Sequence, residues 1–290
     1  MLWHLNTSQK IRLAGFLSFG LLFFRKLWGK SHWVEVSRRG IRWHLDLREG
    51  VDFAIYLNGL FEVDTFLLFQ RTLSKKKGAV VLDIGANIGA HALPLARFLQ
   101  RAGGGRVYAI EPTTWAIQKL QKNRDLNPEL AEYLTIVQAF LSNAEGQSQT
   151  AVYSSWPLAG GDNKHPIHRG ELKSAEGSTT CSLDSLVAQW KLDRLDLIKL
   201  DVDGNEWDVL EGGTESLAHF SPDILMEWAP YLWEEKGMDA SFLQQWFANK
   251  GYHLCNISTG HRLPDFKVPS AFIAPKHGSV NILWRKIQPY

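Results

Sequence analysis

The sequence predicts an α/β fold: a mostly parallel sheet with helices on both faces, an antiparallel strand pair at its C-terminal end, and a small helix-and-hairpin extension at its N-terminus. Three observations predict it. From residue 78 onward, short runs rich in Val, Ile and Leu alternate with stretches of helical periodicity, the pattern of a parallel sheet buried on both sides. The first run, AVVLDIG, passes directly into the turn DIGANIG and then into a helix, as nucleotide-binding α/β units do. YHLCNIS and VNILWRKI, the last two strand-like runs, have no stretch of good helical pattern between them, so they are expected to pair antiparallel.

Each element can be justified in order. Residues 13 to 24, LAGFLSFGLLFF, lie between Lys10 and Arg12 on one side and Arg25, Lys26 and Lys30 on the other, and no acidic residue occurs before Glu35. Leu13, Phe16, Leu17, Gly20, Leu21, Phe24, Leu27 and Trp28 recur at helical spacing, so a basic amphipathic helix is expected. A bilayer core takes about 20 apolar residues as a helix. The run is shorter, and no small-residue cleavage site follows, so neither a membrane span nor a cleaved signal is expected. Such a stripe covers itself on a membrane, on a second subunit or on its own domain. The first outcome sets a cytoplasmic protein against the inner face of the membrane through residues 10–30, and the second makes it a homo-oligomer.

Residues 33 to 47 alternate apolar and polar positions around Gly40 and predict a hairpin. A helical stretch over 60 to 73 follows. The charged turn SKKKG separates an N-terminal extension, 1–77, from the main domain, 78–290. In that domain AVVLDIG, RVYAIEP, LTIVQAFL, DLIKLDVDG and DILMEWA are the parallel strands. AHALPLARFLQRA, TTWAIQKLQKNRDL, CSLDSLVAQW, NEWDVLEGGTESLAHF and SFLQQWFANKG are the helices, the fourth read as continuous to Ser221. Residues 154 to 178 read as a loop of unusual length, the kind that walls a substrate site.

Composition narrows the function. With 45% hydrophobic and 21% charged residues the chain is neither disordered nor a polytopic membrane protein. Cys181 and Cys255 occupy no ligand spacing, which argues against a disulfide framework and structural zinc and fits a reducing cytosol. No basic stripe with interleaved aromatics lies near the predicted crevice, so nucleic acid is not an expected partner.

The chemistry is expected at the strand ends. The glycine turn carries Gly85, Asn87 and Gly89 as GxNxG, not the GxGxxG of dinucleotide sites. Asp83 ends its strand; a carboxylate repels a pyrophosphate but favours the sulfonium or ammonium of S-adenosylmethionine. Glu111 ends the second strand, where a carboxylate takes both hydroxyls of an adenosine ribose. Gln138, ending the third, is placed to read the adenine edge. LDVDGNE brings Asp201, Asp203 and Glu206 to the same edge, with Asp201 the favoured general base or orienter of the methionine amine. Asp203 or Asn205 could instead cap the next helix. Glu227 ends the fifth strand and faces the same crevice. His91 is expected to pack, His165 and His168 lie in the long loop, and the tryptophans are read as core.

VLDIGANIG at 81–89, AIEPTTWAIQKLQKNRDLN at 109–127, TCSLDSL at 180–186, DLIKLDVDGNEWDVLEGG at 196–213 and PDILMEWA at 222–229 together resemble the FkbM family of methyltransferases. One position departs: Asp203 stands where the family usually has Glu. The resemblance implies a class I methyltransferase with a Rossmann-like sheet, using S-adenosylmethionine to methylate a hydroxyl of a sugar, glycolipid or other small molecule. Residues 43–62 resemble that family's N-terminal segment, which makes Tyr56 and Glu62 candidates to close over the methionine end. A divalent metal on the acids is an alternative that is not favoured, because an acid cluster alone supplies too few ligands. Two rivals remain: an NAD-dependent oxidoreductase, disfavoured by Asp83 and Asn87, and an inactive membrane-associated scaffold, disfavoured by the acids at 83, 111 and 201.

Overall fold

A computed structural model describes residues 7–143, 151–158, 164–165, 170–237, 240–263 and 279–286. The chain opens with α1 (Thr7–Leu27) and the hairpin β1 (Trp33–Arg38) and β2 (Ile41–Asp46). Arg39 and Gly40 both take positive φ, 51° and 79°, the left-handed pair that a tight two-residue hairpin requires. Two helices follow, α2 (Gly50–Asn58) and α3 (Val63–Leu73). The sequence reading contained only the second, because α2 is too short to display a clear period.

Next come β3 (Ala79–Ile84), α4 (Ala92–Arg101), β4 (Gly105–Ile110), α5 (Thr114–Asp125), a short 3-10 helix (Pro128–Tyr133) and β5 (Leu134–Val137). The run read as one third strand divides here. β6 (Ala139–Leu141) leaves the sheet after Gln138 and pairs in parallel with β9 (Thr179–Cys181). Between them β7 (Ala151–Ser155) and β8 (Glu171–Ser174) form an antiparallel pair that reaches into the stretch read as loop. The chain continues through α6 (Leu183–Trp190), β10 (Leu197–Leu200), α7 (Glu206–Glu211), α8 (Thr214–Phe220), β11 (Asp223–Trp228), α9 (Pro230–Glu235), α10 (Ala240–Asn249), β12 (Tyr252–Cys255) and β13 (Val280–Lys286). The helix expected over NEWDVLEGGTESLAHF is therefore two, broken at Gly212 and Gly213. The chain passes so close to the Ser142 carbonyl there that a Cβ on Gly212 would stand 2.5 Å from it.

The main sheet has the order β12-β13-β11-β10-β3-β4-β5. β11, β10, β3, β4 and β5 run parallel, and β13 is antiparallel to both of its neighbours, as the last strand pair was expected to be. Successive residues of the central strand serve opposite faces. Val81 joins a core with Trp43, Leu45, Phe53, Phe69, Leu93 and Leu99, while Leu82 joins one with Ile198, Leu200, Met226, Trp233 and Phe247. The N-terminal segment thus covers one face of the sheet.

That segment is also tied down by polar side chains. Asn123 and Asn127, both fully buried on or just after α5, satisfy the outer edge of β2 in place of a third strand. Asn123 accepts from the His44 amide at 2.8 Å; Asn127 accepts from the Arg42 amide at 2.9 Å and donates to its carbonyl at 2.7 Å. Lys119 reaches the buried Asp52 of α2 at 2.9 Å.

Candidate active site

The strand order changes direction between β3 and β10: the chain proceeds from β3 to β4 and β5 on one side, and from β10 to β11 on the other. Ligands of open α/β sheets bind outside the carboxyl ends of the strands at such a point. Asp83, Glu111, Asp201 and Glu227 stand at those ends.

Asp83 is wholly buried, and neither carboxylate oxygen has a hydrogen-bond partner. Its nearest countercharge is Lys199, directly opposite in the β3–β10 register, with Nζ 3.8 Å away. Lys199 is itself 4% exposed. Its ammonium donates to Asp201 at 2.9 Å and to the Gly85 carbonyl at 3.5 Å. Burial alone would lower the lysine pKa; the charges of Asp201, Asp83 and Glu62 outweigh it and raise it. An ammonium is thereby locked beneath the glycine turn. Sequence reasoning missed this residue, although a lone lysine inside the apolar run LIKL was a visible signal.

Gly85 has φ of 81°, and a Cβ there would lie 1.8 Å from the Asp201 carbonyl oxygen. Only glycine lets the β3 turn pass the β10 exit this closely. Gly85→Ala is accordingly expected to destabilise the protein by about 3 kcal/mol or more, read as the urea midpoint at unchanged slope; a midpoint equal to wild type would mean the two strand exits do not touch.

Asn87 occupies φ of 48°, which asparagine tolerates better than most residues. Its amide side chain donates to the Ser154 carbonyl at 2.9 Å and accepts from the Ile88 amide at 2.7 Å, stapling the turn to β7. Gly89 gives α5 its close approach, with the Leu120 side chain where a Cβ would be. Glu111 is 3% exposed. Its Oε1 accepts from the Thr113 amide and hydroxyl and from the Ser154 hydroxyl; its Oε2 accepts from the Asn87 amide at 3.0 Å. A carboxylate offers about four lone-pair sites, so capacity for a ligand hydroxyl remains on Oε2 alone, and the two-pronged grip expected from sequence is not available as the chain stands. Gln138 donates to the Pro112 carbonyl at 3.3 Å and the Thr114 hydroxyl at 3.0 Å, beside the loop that follows β4.

The LDVDGNE exit separates its acids by task. Glu206 is buried and accepts from the amides of Val202 and Gly204 and from the Trp233 indole at 3.0 Å, which shapes the loop. Neither Asp203 nor Asn205 caps α7 with its side chain. Asp203, at φ of 51°, is half-buried just past the end of β10 and keeps accessible surface. Burial pushes its carboxyl well above the usual range, and the charges of Asp201 and Glu206 push it further. Glu227 is pushed well above the range in the same way, by burial and then by the charges of Asp201 and Asp203, with a Ser279 hydrogen bond opposing.

Glu62 closes the crevice from the start of α3. It accepts from Asn281 of β13 at 2.8 Å and Thr65 at 3.2 Å, and it lies 3.4 Å from the His91 ring nitrogen. Burial would raise its pKa, but the neighbouring His91, the Lys199 charge and Asn281 carry it down to about 2. His91 packs between Phe61 and Phe69, as expected. Tyr56 is not with this group: its ring lies over the Arg38 guanidinium at 5.1 Å and beside Phe53, on the hairpin side of α2. His165 sits at the rim near Tyr231 and 3.4 Å from Glu235. His168 lies outside the described residues. Ser154 and Asn281 were not anticipated, and no local pattern marks them.

Among the described residues no three His, Cys, Asp or Glu side chains converge as a metal-ligand set. The donor set suits a cation-bearing ligand. The orphaned oxygens of Asp83 and the surplus of carboxylates over the Lys199 ammonium favour positive charge, and Oε2 of Glu111 keeps one acceptor place.

The family model described as "Methyltransferase FkbM domain" matches residues 83–254. Among curated proteins, the chain is 28% identical over 158 residues to "2-O-methyltransferase NoeI" of Sinorhizobium fredii, covering 50% of this chain and 62% of that protein. It is 30% identical over 141 residues to "Hexuronic acid methyltransferase AglP" of Haloferax volcanii, covering 48% of this chain and 51% of that one. It is 29% identical over 219 residues to "AMB antimetabolite synthetase AmbE" of Pseudomonas aeruginosa, covering 62% of this chain but 10% of that protein. The chain therefore spans less than two thirds of each relative. Among solved structures, an FkbM methyltransferase from Methylobacillus flagellatus aligns at 15% identity and a TM-score of 0.41, over 72% of this chain and 44% of that one. M. jannaschii TYW2 in complex with AdoMet aligns at 16% identity and 0.42, over 89% of each chain. At these scores neither bears on the fold, which stands on its own strand order.

Proposed function

Since the chain belongs to the FkbM methyltransferase family, we propose that it transfers a methyl group from S-adenosylmethionine to a hydroxyl of a sugar, glycolipid or other small-molecule acceptor. The relatives named for 2-O-methylation and for a hexuronic acid support a glycan hydroxyl. Family membership and the Asn87 staple, which fills the place of a second glycine, set the dinucleotide reading aside.

Bound S-adenosylmethionine supplies an electrophilic methyl on a sulfonium. In this reading Gly85, Asn87 and Gly89 form the turn against which it lies, Glu111 takes one ribose hydroxyl on Oε2, and Gln138 borders the adenine. Asp83 and Glu62 supply negative charge for its cationic end. Asp201, ion-paired to Lys199, acts as an orienting carboxylate. An alcohol needs its proton removed as it attacks, and a base works best when its pKa lies near the working pH. Asp203 and Glu227, whose carboxyls are pushed up, answer that requirement, and the proton of the acceptor hydroxyl passes to this pair. The observation that carries the proposal is the position of these two acids: both pushed up and partly accessible, at strand exits beside the glycine turn.

Calorimetric titration with S-adenosylmethionine, S-adenosylhomocysteine and NAD tests the cofactor. The first two are expected to bind and NAD is not; NAD binding in the absence of binding by the other two would sink the reading.

A further inference from the structure

The N-terminal helix α1 has two apolar faces, not one stripe. Ala14, Leu21 and Leu22 pack on the core of the domain, and the Ser18 hydroxyl donates to the Leu47 carbonyl at 2.7 Å. Gly15 passes the Leu158 carbonyl so closely that a Cβ would lie 3.2 Å from it. The opposite side carries Phe16, Phe19, Phe23, Phe24, Leu27 and Trp28, each between 52% and 76% exposed. Phe16, Phe19, Phe23 and Leu27 follow the helical repeat and form one ridge. Among the described residues nothing covers them.

Single exposed apolar residues are ordinary, but a contiguous aromatic ridge marks an interaction surface. Charge identifies the partner. Arg25 and Lys26 lie in the last turn, Lys30 follows, and the first turn holds no acid. Lys10 and Arg12 extend the same sign to the other end, and Glu35 is the first acidic residue of the chain. A second copy laid along this helix would set basic ends against basic ends with no carboxylate to pair them. An anionic bilayer offers both an apolar interior for the phenylalanines and phosphates for the flanking cations, and the ring of Trp28 suits the headgroup level. No helix among the described residues is long and apolar enough to cross a membrane, so α1 would lie in the interface. Its end is held to the domain, because the Arg25 guanidinium donates to the carbonyls of Ser31 and Trp33.

We propose that the outer face of α1 docks the protein onto an anionic lipid bilayer. This goes beyond the transfer reaction and does not depend on which hydroxyl accepts the methyl group. The test is co-sedimentation of the full chain with vesicles of phosphatidylcholine containing phosphatidylglycerol, against vesicles of phosphatidylcholine alone. Binding is expected to the anionic vesicles and to weaken with salt. Phe16→Ser/Phe19→Ser/Phe23→Ser should lose it, and Lys26→Glu/Lys30→Glu should weaken it by about tenfold or more. Both variants alter exposed side chains, so both should keep the melting temperature and S-adenosylhomocysteine binding of the wild type. A full chain that stays in the supernatant with both kinds of vesicle overturns the proposal. So does a dimer, seen by light scattering, that the triple serine variant splits while no vesicle binding is found, since the ridge then belongs to a second copy.

Discussion

Lys199→Met is expected to cost about 3–5 kcal/mol of stability, the usual penalty for removing one partner of a buried ion pair. Methionine keeps the length of the stem and removes the charge together with its hydrogen bonds to Asp201 and the Gly85 carbonyl. Asp83, with no hydrogen bond to either oxygen, and Asp201 would then lack their only close cation among the described residues. Chemical denaturation across pH checks the origin of the loss. The lysine pKa is raised in the folded state, so its contribution is complete below the ordinary lysine pKa and disappears only as pH rises through the folded value. The deficit of the variant should therefore be full at neutral pH and should narrow only as pH rises through the folded lysine value. Adding Asp83→Asn should recover part of it, because a neutral amide no longer strands a charge beside the methionine. A double variant no more stable than Lys199→Met alone would show that the two residues are not coupled.

Asp203→Asn and Glu227→Gln should behave in the opposite way, losing methyl transfer by roughly 10²- to 10⁴-fold while gaining stability. Both carboxyls are raised in the folded state, so the stability linked to them is complete below the ordinary carboxyl pKa and is lost as pH rises through their folded values. Neutralising either acid removes that loss at neutral pH. Glu62 works in the reverse sense: its contribution is present above the ordinary glutamate pKa and is lost as pH falls through about 2. In the wild type, kcat/KM should rise with pH as the pair loses its proton, and S-adenosylhomocysteine affinity should be nearly unchanged in both variants. The residual activity of Asp203→Asn should have its acid limb at lower pH, because Glu227 has lost a neighbouring like charge. Rates equal to wild type in both variants would place the proton acceptor elsewhere.

The alternation of apolar runs and helices was enough to deliver Asp83, Glu111, Asp201, Asp203 and Glu227 to one edge, since parallel strands joined by crossover helices all end on the same side. Where the reading failed, a contact between distant segments had intervened. Gly212 breaks a helix because Ser142 presses on it, and β6 leaves the sheet to meet β9. Glu62 is held by His91 and by Asn281, a residue 219 positions further along the chain. Asp203 was weighed as a helix cap, yet the loop amides go to Glu206, which leaves Asp203 available in the crevice.

By itself, the sequence determined the α/β class, the parallel core strands, the glycine turn and the row of acids at the strand ends. These follow from local periodicity and from glycine stereochemistry, which a short window of residues already contains. The tertiary structure alone decided which acids are occupied and which remain available: Lys199 holds Asp201, Thr113 and Ser154 fill most of Glu111, and burial beside neighbouring carboxylates raises the affinity of Asp203 and Glu227 for a proton. The physical reason is that charge and hydrogen-bond capacity are settled by neighbours in space at 3–4 Å, and at this site those neighbours come from strands, loops and helices far apart in the chain.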